Sequence, residues 1–162
     1  MKKIEKILNY EIRENFGIGG DIVFGMKKED FLTEYITQND IESGDVEFSY
    51  ENQFCDILGG VELFFSNKLN NILTGIRLYG NFKGKYLNKI TIGTKFKELY
   101  ELKRKEIHFD DDLFFIGQGY RFQVELDESE FPEEGSLNFL YFREKKVDKF
   151  KIEAIHLSLS DF

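Results

Sequence analysis

The chain has no tryptophan, one cysteine and two histidines among its 162 residues, and each scarcity narrows what it can be. A lone Cys55 makes no internal disulfide, which excludes the framework of a small disulfide-stapled secreted domain. His108 and His156 stand far apart, and neither has the closely spaced His, Cys or carboxylate partners of a local metal motif. No apolar run approaches the roughly 18 residues that a membrane helix needs. The opening "MKKIEKILNY" breaks its apolar stretch with Glu5, Lys6 and Asn9, and so fails as a secretory signal. These absences predict a soluble, cytoplasmic protein in a reducing compartment, with no membrane partner.

What is present is apolar and acidic. Hydrophobic residues make up 41% and aromatics 16%, with eighteen Phe and eight Tyr, a composition that disordered acidic chains lack. The chain is long enough to bury one sizeable core or two small ones packed together. The formal net charge of -8 is unevenly placed. Residues 29–67 hold ten carboxylates and no Lys or Arg, and residues 110–134 hold nine against Arg121 alone. Basic residues gather instead at 83–105 and 143–151.

One pattern occurs twice. "GDIVFGMKKEDFLTEY" and "NKITIGTKFKELYEL" both read as a short strand, a glycine turn and the start of a helix. Superposing Gly25 on Gly93 places Ile22 on Ile90, Phe24 on Ile92, Lys27 on Lys95 and Phe31 on Leu99. A residue without a side chain suits the point where extended chain turns into helix, and Thr94 suits a helix cap. Beyond it, Phe31, Leu32, Tyr35 and Ile36 in one copy, and Phe96, Leu99 and Tyr100 in the other, recur at helical spacing, the buried stripe of an amphipathic helix.

After each helix the period changes to two. Val61, Leu63 and Phe65 point inward along one strand, and Tyr120, Phe122, Val124 and Leu126 along another. Turns at "SNKLN" and "REKK" lead to long closing strands at residues 72–79 and 150–159, and a phase change in the last predicts a bulge near Ala154. Ile4, Ile7, Leu8 and Ile12 suit an extra N-terminal helix, or a strand. The expected fold is α+β: two tandem helix-plus-antiparallel-sheet repeats packed side by side, residues 1–86 and 87–162, in one compact domain.

The segments "IVFGMKKEDFL" and "ITIGTKFKELY" resemble the "I-x-F-G-M" unit, followed by a leucine-bearing helix, of the β-lactamase inhibitor protein family. That resemblance implies a tandem-repeat fold with a curved antiparallel sheet and an inhibitory role. The family's inhibitor is secreted and disulfide-bonded, and the single cysteine departs from it. In composition the chain is also similar to the small acidic immunity proteins that neutralise bacterial toxins in the producing cell.

Catalytic constellations are scarce. "GIGG" at residues 17–20 lacks the Lys-Ser/Thr of a phosphate loop and reads as a flexible linker. The run Asp110, Asp111, Asp112 lacks the spaced ligands, central glycine and terminal Glu of a calcium loop. Cys55, between Phe54 and Asp56, reads as a buried small apolar residue. The basic residues at 83–105 lie largely on a solvated helix face of an acidic protein, which argues against nucleic acid as a partner. No cofactor is implied.

The acidic stretches carry the leading reading. Carboxylates interleaved with aromatics form a negative face with apolar anchors, which suits a basic protein partner. Toxin nucleases are basic because their substrate is a polyanion. The expectation is a non-enzymatic inhibitor or immunity protein that binds a basic toxin domain through Asp45, Glu47, Tyr50, Asp110, Asp111, Asp112, Tyr120, Asp127, Glu128 and Glu130. Three other readings stand beside it. His108 with Asp110 or Asp112 makes a small metal-assisted enzyme; the strand at 150–159 adds to a partner's sheet edge; or the acidic surface only keeps an aromatic-rich chain soluble.

Overall fold

The computed structural model describes residues 1–110, 113–117, 121–127 and 150–159. Helix α1 (Lys3–Ile7) buries Ile4 and Ile7 on one face, as their spacing predicts. It ends at Ile7 with Leu8 as its C-cap, and Ile12 belongs to strand β1 (Ile12–Arg13). With β2 (Gly17–Ile18) and β3 (Ile22–Val23), the short strand expected before Gly25, β1 makes a three-stranded antiparallel sheet, whereas the strand expected before Gly93 is only an isolated bridge of Ile90 to Tyr86. The "GIGG" stretch is therefore part of a sheet rather than a flexible linker. Ile18 is fully buried, and a Cβ on Gly17 would lie 2.1 Å from the Ile22 carbonyl oxygen at a φ of +138°, so the hairpin accepts only glycine there.

Helices α2 (Lys28–Tyr35) and α4 (Phe96–Lys103) follow the two glycine turns. Gly25 has φ +88° and Gly93 has φ +85°. The Gly25 amide donates to the Leu73 carbonyl at 2.9 Å and the Leu73 amide donates back to Met26 at 2.8 Å. Gly93 and Thr94 make the same exchange with Ile152 at 2.8 and 2.9 Å. Thr94 does not cap its helix. Its hydroxyl accepts from the Thr91 amide at 3.0 Å, while Lys95, like Lys27 before α2, holds the cap position. Between the first helix and its sheet lies a short α3 (Gln38–Glu42), capped by Thr37.

Strands β4 (Val46–Ser49), β5 (Phe54–Ile57), β6 (Val61–Ser66) and β7 (Ile72–Tyr79) form one antiparallel meander. Strands β8 (Ile107–Asp110), β9 (Leu113–Ile116), β10 (Phe122–Leu126) and β11 (Ile152–Ser158) form a second. The last strand of each meets the other, giving a single eight-stranded sheet of order β4-β5-β6-β7-β11-β10-β9-β8. Strand β11 is thus central and paired on both sides, which overturns the reading of residues 150–159 as a free edge for a partner's sheet.

Both seam strands carry a bulge. Glu125 pairs with Ala154 but Leu126 pairs with Ile152, so Glu153 is the extra residue, where the phase change predicts it. In β7, Phe64 pairs with Gly75 but Phe65 with Leu73, so Thr74 is extra. Matching Leu73 with Ile152, as the glycine contacts do, makes Gly75 the counterpart of Ala154 and Arg77 the counterpart of His156. Arg77 and His156 are also direct neighbours across the seam.

The strand alternation sorts the sheet into two faces. Val46, Ile57, Val61, Leu78, Ile155, Val124 and Phe114 form one ladder across seven strands, and each is at most 3% exposed. The helices cover this inner face: Phe31 of α2 lies 5.8 Å from Phe65, and Phe96 of α4 lies 4.6 Å from Phe114 between ring centroids. Cys55 also points inward and is fully buried, which pushes its thiol up to about 12. No helix among the described residues is long and apolar enough to cross a membrane.

Candidate partner-binding face

The other face of the sheet carries the polar phase of the strands, except on β9, where the outward residue is the buried Phe115. One ladder runs across all eight: Glu47, Asp56, Glu62, Arg77, His156, Gln123, Phe115 and His108. Its β4 end is three carboxylates on adjacent strands. The next outward ladder is Ser49, Phe54, Phe64, Gly75 and Ser158. An acidic row and an aromatic row therefore lie side by side, about 7 Å apart, the distance between alternate residues of a strand.

The acidic end is the wall of an open groove of about 630 Å³, lined by Asp45, Glu47, Phe48, Asp56, Glu62 and Tyr79. Asp56 is held in place: Tyr79 donates its phenolic proton to one oxygen, and the Gly59 amide donates to the other at 3.0 Å. Burial and this carboxylate raise the Tyr79 phenol above its ordinary range. No ion pair or hydrogen bond engages the side chains of Glu47 and Glu62 among the described residues. Like charges on neighbouring strands repel, and only at the Glu62 end does a cation, Arg77, stand opposite the row.

Towards the seam the charges compensate one another. The Arg77 guanidinium lies 4.6 Å from the centre of the Tyr79 ring and 3.8 Å from Glu125, whose carboxylate also meets His156 Nε2 at 2.9 Å. The negative field is therefore concentrated on β4–β6 rather than spread over the sheet.

The aromatic row is stacked and raised. Phe54 and Phe64 have ring centroids 4.8 Å apart, and Tyr50 meets Phe54 edge-on at 5.2 Å. Tyr50 is 76% exposed. It opens a run of three residues with positive φ, Tyr50 at +50°, Glu51 at +56° and Asn52 at +62°. Backbone of this kind costs non-glycine residues about 1–2 kcal/mol each, and the Lys28 ammonium bonded to the Asn52 carbonyl helps to hold it.

Of the residues singled out from sequence, Asp45, Glu47 and Tyr50 gather at the β4 end. Asp45 is partly neutralised there: Lys2 reaches it at 2.7 Å, and this bond, with help from Ser43, holds its carboxyl below the ordinary range. Asp40, one of the ten carboxylates counted in residues 29–67, is buried in the first turn of α3. Asp110 closes β8 at the opposite edge of the sheet, on the order of 30 Å away across seven strand spacings. Asp127 follows β10, where its amide donates to the Lys151 carbonyl at 3.0 Å. Asp111, Asp112, Tyr120, Glu128 and Glu130 lie outside the described residues, as does Phe131.

The two acidic stretches are thus not brought into one patch by their first strands. Phe114 and Phe115, two of the aromatics interleaved with the carboxylates of residues 110–134, are buried, so they are not anchors on this face. Asp56, Glu62 and Phe64 join the site although the sequence reading does not single them out. The signal for them exists, since each occupies the outward phase of a strand whose inward phase is apolar.

His108 stacks on Phe115, 5.9 Å between ring centroids, on the outer face of β8. Among the described residues, no group of three or more His, Cys, Asp or Glu side chains is placed to hold a metal ion. Comparison of the chain with protein-family models, curated proteins and solved structures finds no match.

Proposed function

We propose that this protein is a non-enzymatic inhibitor, of the immunity-protein kind, that binds a basic protein toxin domain on the outer face of its sheet. The observation that carries the reading is the pairing of two adjacent rows on one rigid sheet, the carboxylates Glu47, Asp56 and Glu62 and the aromatics Tyr50, Phe54 and Phe64. Such a surface combines long-range attraction for a cationic partner with apolar area to hold the complex once formed. A nuclease whose active site collects phosphates presents the complementary charge. The matched glycine contacts and matched bulges of the two halves support a duplicated scaffold, as the resemblance to the β-lactamase inhibitor family implies, and the eight-stranded sheet gives that scaffold a broad, stiff platform.

The test is protection. Co-expression with a basic toxin domain, sought first in the genes beside this chain's own, should restore growth of cells that the toxin alone kills. Association measured by stopped flow should slow at least tenfold when Glu47 and Glu62 are both replaced by Lys, and should lose much of its salt dependence. Growth arrest that persists despite accumulation of the folded protein refutes the reading.

A further inference from the structure

Gly75 interrupts the aromatic row in the middle of the sheet. It pairs with Phe64 on one side and Ser158 on the other, and it is the only position of that outward ladder without a side chain. The fold does not call for glycine here. Its φ lies outside the left-handed region, and a Cβ would sit in ordinary contact, 3.4 Å from Phe64 Cβ. The matched position of the other half, Ala154, carries a Cβ and is fully buried. Glycine inside a strand weakens it; it often marks a bulge, and the one at Thr74 is adjacent, or a site where another group approaches closely.

The missing side chain leaves a depression of about 400 Å³ floored by Gly75 and walled by Phe54, Phe64, Arg77, His156 and Ser158. One wall is a stacked pair of rings, and Glu62 stands at its rim, next to Asp56 and Glu47. Arg77 beside the floor makes the depression itself unsuited to a cation, whereas the rim on the β4 side is suited to one.

Resting on the reading above, we infer that the Gly75 depression is the specificity pocket of the interface, and that it takes an aromatic side chain flanked by lysine or arginine on a protruding segment of the basic partner. The ring packs against Phe64 and Phe54 over the bare backbone of Gly75. The flanking cations meet Glu62, Asp56 and Glu47, whose charges are uncompensated by ion pairs from Lys or Arg among the described residues.

Titration of the full chain with the blocked pentapeptides Lys-Lys-Phe-Lys-Lys and Lys-Lys-Ala-Lys-Lys, followed by amide NMR at low salt, tests this directly. The Phe peptide should move the resonances of Phe64, Gly75 and Ser158 together with those of Glu47, Asp56 and Glu62. The Ala peptide should move only the second group. Gly75→Leu should weaken the Phe peptide at least tenfold and leave the Ala peptide unchanged. Gly75→Ala, the milder change, should fall between and keeps the test available should the leucine variant not fold. Equal shifts from both peptides, or Gly75→Ala and Gly75→Leu binding as the unaltered protein does, overturn the pocket. Because the peptides need no toxin, a failure of cell protection with pocket binding intact would refute the immunity role alone.

Discussion

The Tyr86 hydroxyl donates to Glu14 Oε2 at 2.5 Å across 72 residues of sequence, while its ring rests 4.8 Å from Phe122 of β10. This contact ties the three-stranded sheet to the large one, alongside the Ile12 amide bonded to the Lys85 carbonyl at 2.9 Å. Burial first, then Glu14, raises the phenol above its ordinary value. Tyr86→Phe should lower stability by about 1.5 kcal/mol near neutral pH, the scale of a hydrogen bond to a charged acceptor, read from urea unfolding. A phenol whose folded value is raised contributes fully below its unfolded value of about 10, and that contribution is lost as pH climbs above it. The variant should therefore lose less stability than the parent between neutral pH and strongly alkaline solution.

Gly25 and Gly93 offer a paired test. A Cβ at either would meet nothing within 4 Å, so the cost of alanine is backbone strain alone. Gly25→Ala and Gly93→Ala should each destabilise by about 1–2 kcal/mol, by similar amounts because the turns and their partners match. Two unequal penalties, from chemical denaturation of each variant, would show that the halves only look alike.

Thr37 and Asp40 should govern the acid limb. The Thr37 hydroxyl donates to Asp40 Oδ2 at 2.7 Å and its amide donates to the same oxygen at 2.9 Å; these bonds, with Lys2, hold the Asp40 carboxyl below its ordinary range. A carboxylate with a lowered folded value stabilises above its unfolded value of about 3.9 and loses that contribution as pH falls through the folded one. Thr37→Ala should cost about 1 kcal/mol at neutral pH, the usual size of a lost helix cap, and should move the midpoint of acid unfolding to higher pH.

Cys55 should ignore thiol reagents in the native protein. It is fully buried with its thiol pushed up to about 12, so little thiolate forms at pH 8 and none is reachable. Modification by a disulfide reagent should track unfolding with denaturant; rapid labelling without denaturant would contradict the packing of β5.

What the sequence made legible was periodicity. The inward phases Val61, Leu63, Phe65 and Phe122, Val124, Leu126, the bulge beside Ala154 and the glycine turns all followed from spacing, because each has a local physical cause. What it hid was set by distant contacts. Ile12 continues the helical spacing of Ile4 and Leu8, yet the helix stops at Ile7 and Ile12 pairs with β2 instead. Acidic residues counted as one surface were divided by the fold: Asp40 went inside, Asp45 met Lys2 from another element, and Asp110 went to the far edge. Glu47, Asp56 and Glu62 became neighbours only through strand pairing, which no single segment encodes.

The seam between β7 and β11 sets an order of events in synthesis. A growing chain that has passed Tyr79 owns a complete first meander, yet beyond Leu73, which the Gly25 turn already covers, one side of β7 from Gly75 to Tyr79 has no strand partner until residues 154–158 have been made. For that interval this part of β7 is an open template, and the matching strand of a neighbouring copy fits it as well as its own. Crowded ribosomes on one message would thus favour exchange of β11 between chains, and the bulge at Glu153, which must fall between the pairs Glu125–Ala154 and Leu126–Ile152, holds an exchanged strand to the same register on β10.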